Sequence, residues 1–246
     1  MLTAQRKALI QTELDKTGKV VSGELAQRFG LSEDTIRRDL RQMAADGLCR
    51  RVYGGAVAPF AGSLDRRHDH LRAEKARLAR AAVTVISPNQ TLFIDAGSTN
   101  SAISRALPAD MGLTVITNAP DIAAILAPRR DINLVVLGGS YDPDIGACLG
   151  PQTLAGLIGV RGDWLFLGSC GLDAANGVTA FDPREAAVKQ AMAVASDKVL
   201  AAVTTEKIGT SATYRVLDTA GLDVLVTEDA LDLSAYTRQG VTLKHP

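Results

Sequence analysis

The spacing of apolar residues changes along this chain, and the change separates two kinds of structure. Up to about residue 48, apolar residues recur at intervals of three and four, as at Ile36, Leu40 and Met43, which is the period of an amphipathic helix. Ser22 and Ser32 stand where helices would begin. Glycines stand where the helices would end: Gly18, Gly30 and Gly47. This pattern predicts three short helices joined by tight turns.

The residues that follow predict a hairpin and a connector. The stretch LCRRVYGGAVA contains two short β-prone runs around Gly54 and Gly55, which predicts a β-hairpin. Residues 58–64 (APFAGSL) are mostly small, which is typical of a linker. Residues 65–86 predict a charged helix that becomes apolar toward its end.

From residue 91 onward, short apolar runs alternate with helical segments. Runs this apolar, separated in this way, predict a mostly parallel sheet flanked by helices on both faces. The predicted strands span residues 91–95, 113–117, 132–137, 163–168, 198–203 and 222–227. We therefore expect an α/β protein with three parts: a small domain at 1–57, a linker and connecting helix at 58–86, and a larger domain at 87–246.

Composition adds expectations about partners and location. The chain has 246 residues, of which 46% are hydrophobic and 22% charged, and its 27 basic and 27 acidic side chains cancel. Residues 1–57 hold 10 Lys/Arg against 7 Asp/Glu, a positive balance that suits nucleic-acid binding. The three cysteines are unpaired in spacing, the three histidines lack metal-ligand spacing, and no apolar run reaches the roughly 18 residues of a membrane span. These features predict a soluble cytoplasmic protein without a metal or membrane contact.

Residues 31–47 (LSEDTIRRDLRQMAADG) predict a helix with an arginine-rich outer face. Helical geometry places Thr35, Arg38 and Arg41 opposite the apolar face, with Arg37 at the flank. With the preceding helix and turn, this is the layout of a helix-turn-helix, whose second helix enters the DNA major groove. The alternative is a solvated helix with i,i+4 ion pairs. The candidate DNA contacts, including a basic wing in the hairpin, are Ser22, Ser32, Thr35, Arg37, Arg38, Arg41, Arg50, Arg51 and Tyr53.

In the larger domain, polar and small residues follow nearly every predicted strand. Ligands of open parallel sheets bind beyond the carboxyl ends of the strands, so these residues predict a crevice for a small polar ligand. In DAGSTN, Gly97 allows a close turn, and Ser98 opens a helix whose N–H groups attract an anion such as phosphate. The candidate ligand contacts are Asp95, Gly97, Ser98, Thr99, Asn100, Thr117, Asn118, Gly138, Gly139, Gly171, Glu185, Lys189 and Lys207.

Two of these assignments have alternatives. Glu185 and Lys189 stand four residues apart, so they predict either a helix-stabilising pair or a role in the ligand site. Asp95 predicts either a strand-end carboxylate that holds its loop or an acceptor for a sugar hydroxyl. Both alternatives depend on which residues lie nearby in space.

The motifs at both ends of the chain resemble a known family. GELAQRFGLSEDTIRRDLRQMAADGLCRRVYGGA resembles the N-terminal signature of the DeoR family of bacterial transcriptional regulators. FIDAGSTN, VITNAPDIA, LGG and NGVTAFDPREAAVKQAM resemble its effector domain, which in the family is similar in fold to ribose-5-phosphate isomerase and senses a phosphorylated sugar or a related metabolite. The chain departs from the pattern of many members at Thr204, Glu206 and Glu228. The resemblance implies a winged helix-turn-helix joined to a sensing and oligomerisation domain, with Thr35, Arg37 and Arg38 as base readers.

Three functions compete at this point. We expect a repressor of a carbohydrate-utilisation operon that binds double-stranded operator DNA, responds to a phosphorylated sugar, needs no cofactor and forms a dimer or tetramer. The alternative from another class is an isomerase-like enzyme with an appended DNA-binding head, in which Asp95, Glu185 and Lys189 transfer protons. A third possibility is a DNA-binding protein whose larger domain only oligomerises. A fused DNA-binding head favours a regulator over an enzyme.

Overall fold

The three N-terminal helices lie where the apolar spacing of the sequence predicts them. The computed structural model describes residues 2–17, 19–46, 48–52, 54–57, 68–229 and 231–246. Its first three helices are α1 (Thr3–Thr17), α2 (Ser22–Phe29) and α3 (Glu33–Ala45). Ser32 caps α3 by accepting a hydrogen bond from the Thr35 N–H at 3.3 Å, and Gly30 ends α2 with a φ of 65°. The prediction of three short helices is confirmed.

A small antiparallel sheet completes this N-terminal unit, which we call the head. Its strands are β1 (Lys19–Val21), β2 (Arg50–Val52) and β3 (Gly55–Val57), in the order β1-β3-β2. The hairpin of β2 and β3 was predicted from the glycine pair between its strands, whereas β1 was not predicted, because its partner β3 lies far away in sequence. A side chain at Gly55 would place its Cβ 2.0 Å from the Val20 carbonyl oxygen, so only glycine fits this crossing. The head is the expected winged helix-turn-helix.

Ser22 does not cap α2 as the sequence predicts. It is the first residue of the helix rather than the residue before it, and Val21 occupies the cap position without a side-chain bond. Its side chain is buried, and its N–H donates to the Gly54 carbonyl oxygen at 2.7 Å. The serine therefore joins α2 to the wing instead of facing outward.

A buried ion pair holds α1 against α3. The guanidinium of Arg6 donates to both carboxylate oxygens of Asp39, with the Nη2 to Oδ1 distance at 3.1 Å. Both side chains are more than nine-tenths buried, among apolar residues such as Ile10 and Leu40. These hydrogen bonds to Asp39 raise the pKa of Arg6 above its ordinary value. Asp39 is therefore the inward-facing charge of a helix whose arginines face out.

The connecting helix is shorter than predicted. Helix α4 spans Arg72–Ala82, and a single 3₁₀ turn follows at Val83–Val85. Leu71 precedes the helix with a φ of 50°, a left-handed conformation that is uncommon for leucine. The predicted linker and the first residues of the predicted helix (58–67) lie outside the described residues.

The larger domain is built around a parallel sheet, as predicted. In the described part of the chain its seven strands follow the order β15-β14-β12-β9-β4-β5-β6, and every neighbouring pair is parallel. These strands are β4 (Thr91–Ile94), β5 (Thr114–Thr117), β6 (Asn133–Val136), β9 (Gly162–Leu167), β12 (Ser196–Ala202), β14 (Val224–Val226) and β15 (Thr242–Lys244). Six of them match predicted strands, and β15 was not predicted.

Two smaller antiparallel units and a set of helices cover this sheet. The hairpin β7 (Ser140–Asp142) and β8 (Ala147–Leu149) follows β6, while β10 (Gly171–Asp173), β11 (Gly177–Ala180) and β13 (Tyr214–Leu217) form a separate sheet. Helix α4 packs against the next helix and against β12 and β14. The remaining helices are α5 (Ser98–Ala106), α6 (Pro120–Leu126), α7 (Pro151–Ala155), α8 (Pro183–Val194) and α9 (Ser234–Thr237), with 3₁₀ turns at Thr205–Lys207 and Thr219–Gly221.

The apolar cores of the head and of the larger domain are separate clusters. The head core is centred on Ile10, Leu14, Ile36, Leu40 and Met43. The larger core draws on both faces of the parallel sheet, which accounts for the unbroken apolar runs in the sequence. Within the described ranges, no helix is long and apolar enough to cross a membrane.

The buried pair of the head yields a stability prediction. Asp39→Ala would leave the guanidinium of Arg6 buried without its carboxylate, so we expect the unfolding free energy to fall by about 3–5 kcal/mol. Urea unfolding followed by far-UV circular dichroism measures this change. The matched control is Glu13→Ala, which removes the exposed pair with Arg28 and should cost less than about 1 kcal/mol. Equal losses in the two variants would contradict a structural role for the Arg6–Asp39 pair.

Candidate functional site

Helix α3 presents two unpaired arginines to solvent. Arg38 and Arg41 are exposed, and neither forms an ion pair within the described ranges. Arg37 instead pairs with Glu33, with Nη2 2.7 Å from Oε2, although both side chains remain about half exposed. Thr35 is half-buried, and its Oγ1 lies 2.9 Å from the capping hydroxyl of Ser32. Arg38 and Arg41 are therefore the side chains of this face that are free to bind phosphate or guanine.

The wing supplies one further exposed cation. Arg51 on β2 is exposed, on a strand that follows α3 directly in the fold. The side chain of Arg50 and all of Tyr53 lie outside the described residues. Ser22 is 1% exposed, so its predicted DNA contact is not available on this surface. The outer face described here thus comprises Thr35, Arg38, Arg41 and Arg51, with Arg37 at its edge.

A buried ion network occupies the carboxyl ends of the central strands of the parallel sheet. Asp95, directly after β4, forms an ion pair with Lys189 of α8, and both side chains are 2% exposed. The same carboxylate oxygen accepts the Gly168 N–H at 2.8 Å, and Lys189 donates to the Gly168 carbonyl oxygen at 3.1 Å. Glu185 lies 3.3 Å from the Lys189 ammonium. The network ties the ends of β4 and β9 to α8.

The two neighbouring carboxylates keep Lys189 protonated. Burial lowers the pKa of Lys189, but the carboxylates of Asp95 and Glu185 outweigh burial and hold that pKa above its ordinary value. The ammonium therefore keeps its proton at neutral pH. The Asp95 carboxylate therefore joins the end of β4 to Gly168 and to α8. Glu185 and Lys189 belong to this network as well as forming an i,i+4 pair within α8.

Cys170 lies beside this network as a protonated thiol. Its sulfur is 3.8 Å from both carboxylate oxygens of Glu185. Burial raises the pKa of Cys170 to about 12, and the charge of Glu185 adds to this effect. The thiol therefore carries no charge at neutral pH and packs rather than reacts.

The first turn of α5 is open in the way that anion sites require. Gly97 precedes the helix with a φ of 142°, and no heavy atom lies within 4 Å of where its Cβ would stand. Because Gly97 has no side chain to cap the helix, the first N–H groups have no partner inside it. Ser98 is half-buried, and Thr99 is 8% exposed. This turn lies directly after Asp95, above the buried network.

Asn118, at the end of β5, adds an acceptor that has no donor. Its Nδ2 donates to the Cys148 carbonyl oxygen at 3.1 Å, which fixes the orientation of the amide. The opposite atom, Oδ1, is buried and has no hydrogen-bond partner among the described residues. Thr117 before it is fully buried, and its hydroxyl accepts the Ala119 N–H at 3.1 Å. Of Thr117 and Asn118, only Asn118 has a buried acceptor without a hydrogen bond from a described residue.

Several other predicted ligand contacts have structural partners instead. Asn100 is 2% exposed and donates to the carbonyl oxygens of Asp95 and Phe166, at 2.8 and 2.9 Å. A Cβ on Gly171 would stand 2.6 Å from a backbone oxygen of Thr210, so this glycine serves close packing. Because Phe166 and Thr210 lie far away in sequence from these residues, the local pattern of a polar strand end could not reveal these partners.

Of the two glycines after β6, one allows close packing and the other borders open space. A Cβ on Gly139 would stand 2.1 Å from the Thr153 hydroxyl oxygen, which makes Gly139 a packing position like Gly171. Gly138 is exposed with open space at its Cα. Lys207, after β12, donates to the Ser169 carbonyl oxygen at 2.7 Å.

Gly168 belongs to the site but was not predicted from the sequence. A Cβ there would stand 2.2 Å from the Ala96 carbonyl oxygen and 2.8 Å from the Asp95 carboxylate. The only available signal was its place at a strand end, which it shares with the glycines that serve packing. Within the described residues, no group of three or more His, Cys, Asp or Glu side chains could hold a metal ion.

The ion network yields a prediction for Lys189. Lys189→Met would leave two carboxylates buried without their counter-charge, so we expect the unfolding free energy to fall by about 3–5 kcal/mol at pH 7. Urea unfolding followed by Trp164 fluorescence reports on this domain. The control is Arg130→Met, which removes an exposed cation of the same domain and should change stability by less than about 1 kcal/mol. A Lys189→Met protein as stable as this control would mean that the network does not hold the strand ends.

Comparison with known proteins agrees with both halves of the structure. The model of the DeoR-like helix-turn-helix domain matches residues 6–60, and that of the DeoR C-terminal sensor domain matches residues 71–229. The chain is 31% identical over 231 residues to the glycerol-3-phosphate regulon repressor of Escherichia coli, covering 93% of this chain and 92% of that protein. It is 30% identical over 237 residues to the transcriptional regulator GlpR of Haloferax volcanii, covering 94% and 92%.

Among solved structures, ribose 5-phosphate isomerase A from Neisseria gonorrhoeae matches with a TM-score of 0.39 and 17% identity, covering 55% of this chain and 52% of that one. The two matched domains together account for the head, α4 and most of the parallel sheet. The chain belongs to the DeoR family of helix-turn-helix transcriptional repressors and is not an enzyme.

Proposed function

We propose that this repressor controls genes of carbohydrate or polyol use and that a phosphorylated sugar or sugar alcohol bound in the crevice modulates its operator binding. The observation that carries the proposal is the open first turn of α5 at Gly97. The free N–H groups and the helix dipole of such a turn attract phosphate. The size of the gap at Gly97 allows an anion to approach the backbone closely.

Asn118 would bind a hydroxyl of the same ligand. Strand β5 is the neighbour of β4 in the sheet, so Asn118 and Gly97 lie at adjacent strand ends. A buried acceptor without a donor costs about 1–3 kcal/mol, which a ligand hydroxyl would offset. Phosphate at one strand end and a hydroxyl at the next together describe a small phosphorylated polyol.

The relatives narrow the first compounds to test. Two of them act, by name, on the glycerol-3-phosphate regulon or carry the name GlpR. Glycerol 3-phosphate has both a phosphate and free hydroxyls, so it is the first probe, with pentose and hexose phosphates beside it. A thermal-shift screen tests binding, because a ligand at 100 times its Kd stabilises the folded chain by about 2.7 kcal/mol. No shift with any of these compounds would favour a domain that only oligomerises.

DNA recognition rests on the outer face of α3. We assign base contacts to Thr35, Arg37 and Arg38, and backbone contacts to Arg41 and the wing residues Arg50, Arg51 and Tyr53. A single helix-turn-helix gives few base contacts, so two copies of the chain would bind half-sites about 34 Å apart. The chain is therefore proposed to act as a dimer or a tetramer.

The first functional prediction concerns Arg38. Arg38→Ala should weaken binding to an operator selected from random DNA by about 1–3 kcal/mol and relax base preference at one position. Arg51→Ala should weaken binding evenly across sequences and lower the salt slope by roughly one. Arg80→Ala, an exposed arginine of α4, is the control. Unchanged gel-shift affinity for Arg38→Ala would contradict placement of α3 in the groove.

The second functional prediction concerns ligand binding at Gly97. Gly97→Val should abolish binding of glycerol 3-phosphate or the best-binding sugar phosphate, because a β-branched side chain fills the space before the helix N-terminus. Operator binding without ligand should persist, since the head is a separate unit. The control is Gly159→Val, which also has positive φ and open space but precedes β9, at the opposite end of the sheet. Calorimetry that finds normal ligand binding in Gly97→Val would place the phosphate elsewhere.

A further inference from the structure

Two histidines just before α4 contact carboxylates that belong to different strand ends of the sheet. His68 Nε2 lies 3.3 Å from Oδ2 of Asp121, in the first turn of α6, which follows β5. His70 Nε2 lies 2.9 Å from Oε2 of Glu206, in the 3₁₀ turn that follows β12. We call residues 68–71 the strap. It is the first described segment that follows the head in the chain.

The strap crosses above the two central strands. In the sheet order, β9 and β4 lie between β12 and β5, so three strand spacings, about 14 Å, separate the two walls that the histidines contact. Residues 68 and 69 are helical and residues 70 and 71 form a turn, so the two imidazole side chains and the carboxylate side chains that they contact cover most of this distance. The strand ends beneath this crossing are those of Asp95 and Gly168, where the proposed ligand crevice lies.

On one side, the strap is linked to the proposed phosphate turn by successive hydrogen bonds. The Asp121 oxygen that faces His68 also accepts the Ser101 hydroxyl at 2.7 Å. The Ser101 N–H donates to the carbonyl oxygen of Gly97 at 2.9 Å. The other oxygen of Asp121 is buried with no hydrogen-bond partner among the described residues, so this carboxylate is only half satisfied. A ligand bound at the turn of Gly97 would therefore lie two residues, Ser101 and Asp121, away from His68.

On the other side, the strap meets the loop that departs from the family pattern. Glu206 lies between His70 and Thr204, whose hydroxyl is 3.3 Å from the second carboxylate oxygen. The next residue, Lys207, bonds the Ser169 carbonyl oxygen at the end of β9. Glu206 therefore has a defined task here, which is to hold the strap to the wall formed by β12.

The backbone of the strap has the features of a segment with two arrangements. Leu71 adopts a left-handed conformation, which costs a non-glycine residue free energy and persists only where surrounding contacts enforce it. One enforcing contact is Lys75, which is 5% exposed and donates its ammonium to the His70 carbonyl oxygen at 2.7 Å. Release of the two histidine side chains would remove part of the contacts around Leu71 and leave the Lys75 hydrogen bond in place.

We propose that the strap transmits the state of the crevice to the head, with His68 and His70 as its positioning residues. The proposal rests on the proposed ligand crevice and adds the contacts through which it acts. The closed strap is the ligand-free, operator-binding arrangement. A phosphorylated ligand at Gly97 disturbs the Ser101–Asp121 contact, frees the strap and lowers operator affinity.

The test introduces a second carboxylate beside Glu206. His70→Glu sets a carboxylate against Glu206, so the strap should open without ligand and operator affinity should fall about tenfold. The exchange variant, His70→Glu with Glu206→His, restores a contact between histidine and carboxylate and should restore operator affinity. Arg77→Gln, an exposed residue of α4, is the control and should behave as the wild type.

Ligand response provides the second readout. In the wild type, glycerol 3-phosphate or the sugar phosphate that gives the largest thermal shift should weaken operator binding about 5- to 150-fold. In His70→Glu this ratio should approach one, while calorimetry shows that the ligand itself still binds. A residue that only stabilises the fold would not separate binding of the ligand from the response to it.

The outcomes separate the strap from the ligand proposal. Wild-type operator affinity and ligand response in His70→Glu would overturn the strap, as would an exchange variant that stays as impaired as His70→Glu. If no phosphorylated compound stabilises the wild type, the ligand proposal fails. Ligand-free operator binding by the single and exchange variants would then still decide whether the strap sets the arrangement of the head.

Discussion

The larger domain depends on the buried pair of Asp95 and Lys189. Two opposite charges in an apolar interior are tolerated only when each satisfies the other and the remaining bonds are filled. Here the Gly168 N–H and carbonyl oxygen fill them, so the ends of β4 and β9 are held to α8. The turn at Gly97 begins two residues after Asp95, and its position follows from this pair. The protonated lysine is accordingly an anchor for a binding crevice rather than a proton acceptor.

The head uses the same device for a different purpose. Asp39 faces inward and takes the charge of Arg6, while the arginines of α3 on either side of Asp39 face outward. The acidic residue in the middle of the Arg-Arg-Asp-Leu stretch is thus what orients the helix. Burial of the Arg6–Asp39 pair gives α3 a defined inner face. Exposure of its arginines gives the helix a basic outer face.

Between these two anchored units, the contacts are weaker and more exposed. The His70 side chain is 56% exposed, and its pair with Glu206 belongs to the class that contributes little to stability. The strap is also held by a buried group, because the Lys75 ammonium bonds the His70 carbonyl oxygen. In the mechanism that we propose, release of the strap would begin at the exposed His70–Glu206 pair.

The sequence by itself determined the period of each segment, and hence the three helices, the wing hairpin and six strands of the parallel sheet. Apolar spacing reports which face of an element is buried, and it does so locally. Strands β1 and β15, of three residues each, lack the longer apolar run or the glycine turn that marked the other short strands. The tertiary structure alone decided the partners of polar residues. Lys189 pairs with a residue 94 positions away and His70 with one 136 positions away, distances over which no local pattern carries information. For the same reason Asn100, Gly171 and Ser22 resembled binding residues in the sequence, and packing assigned them structural roles.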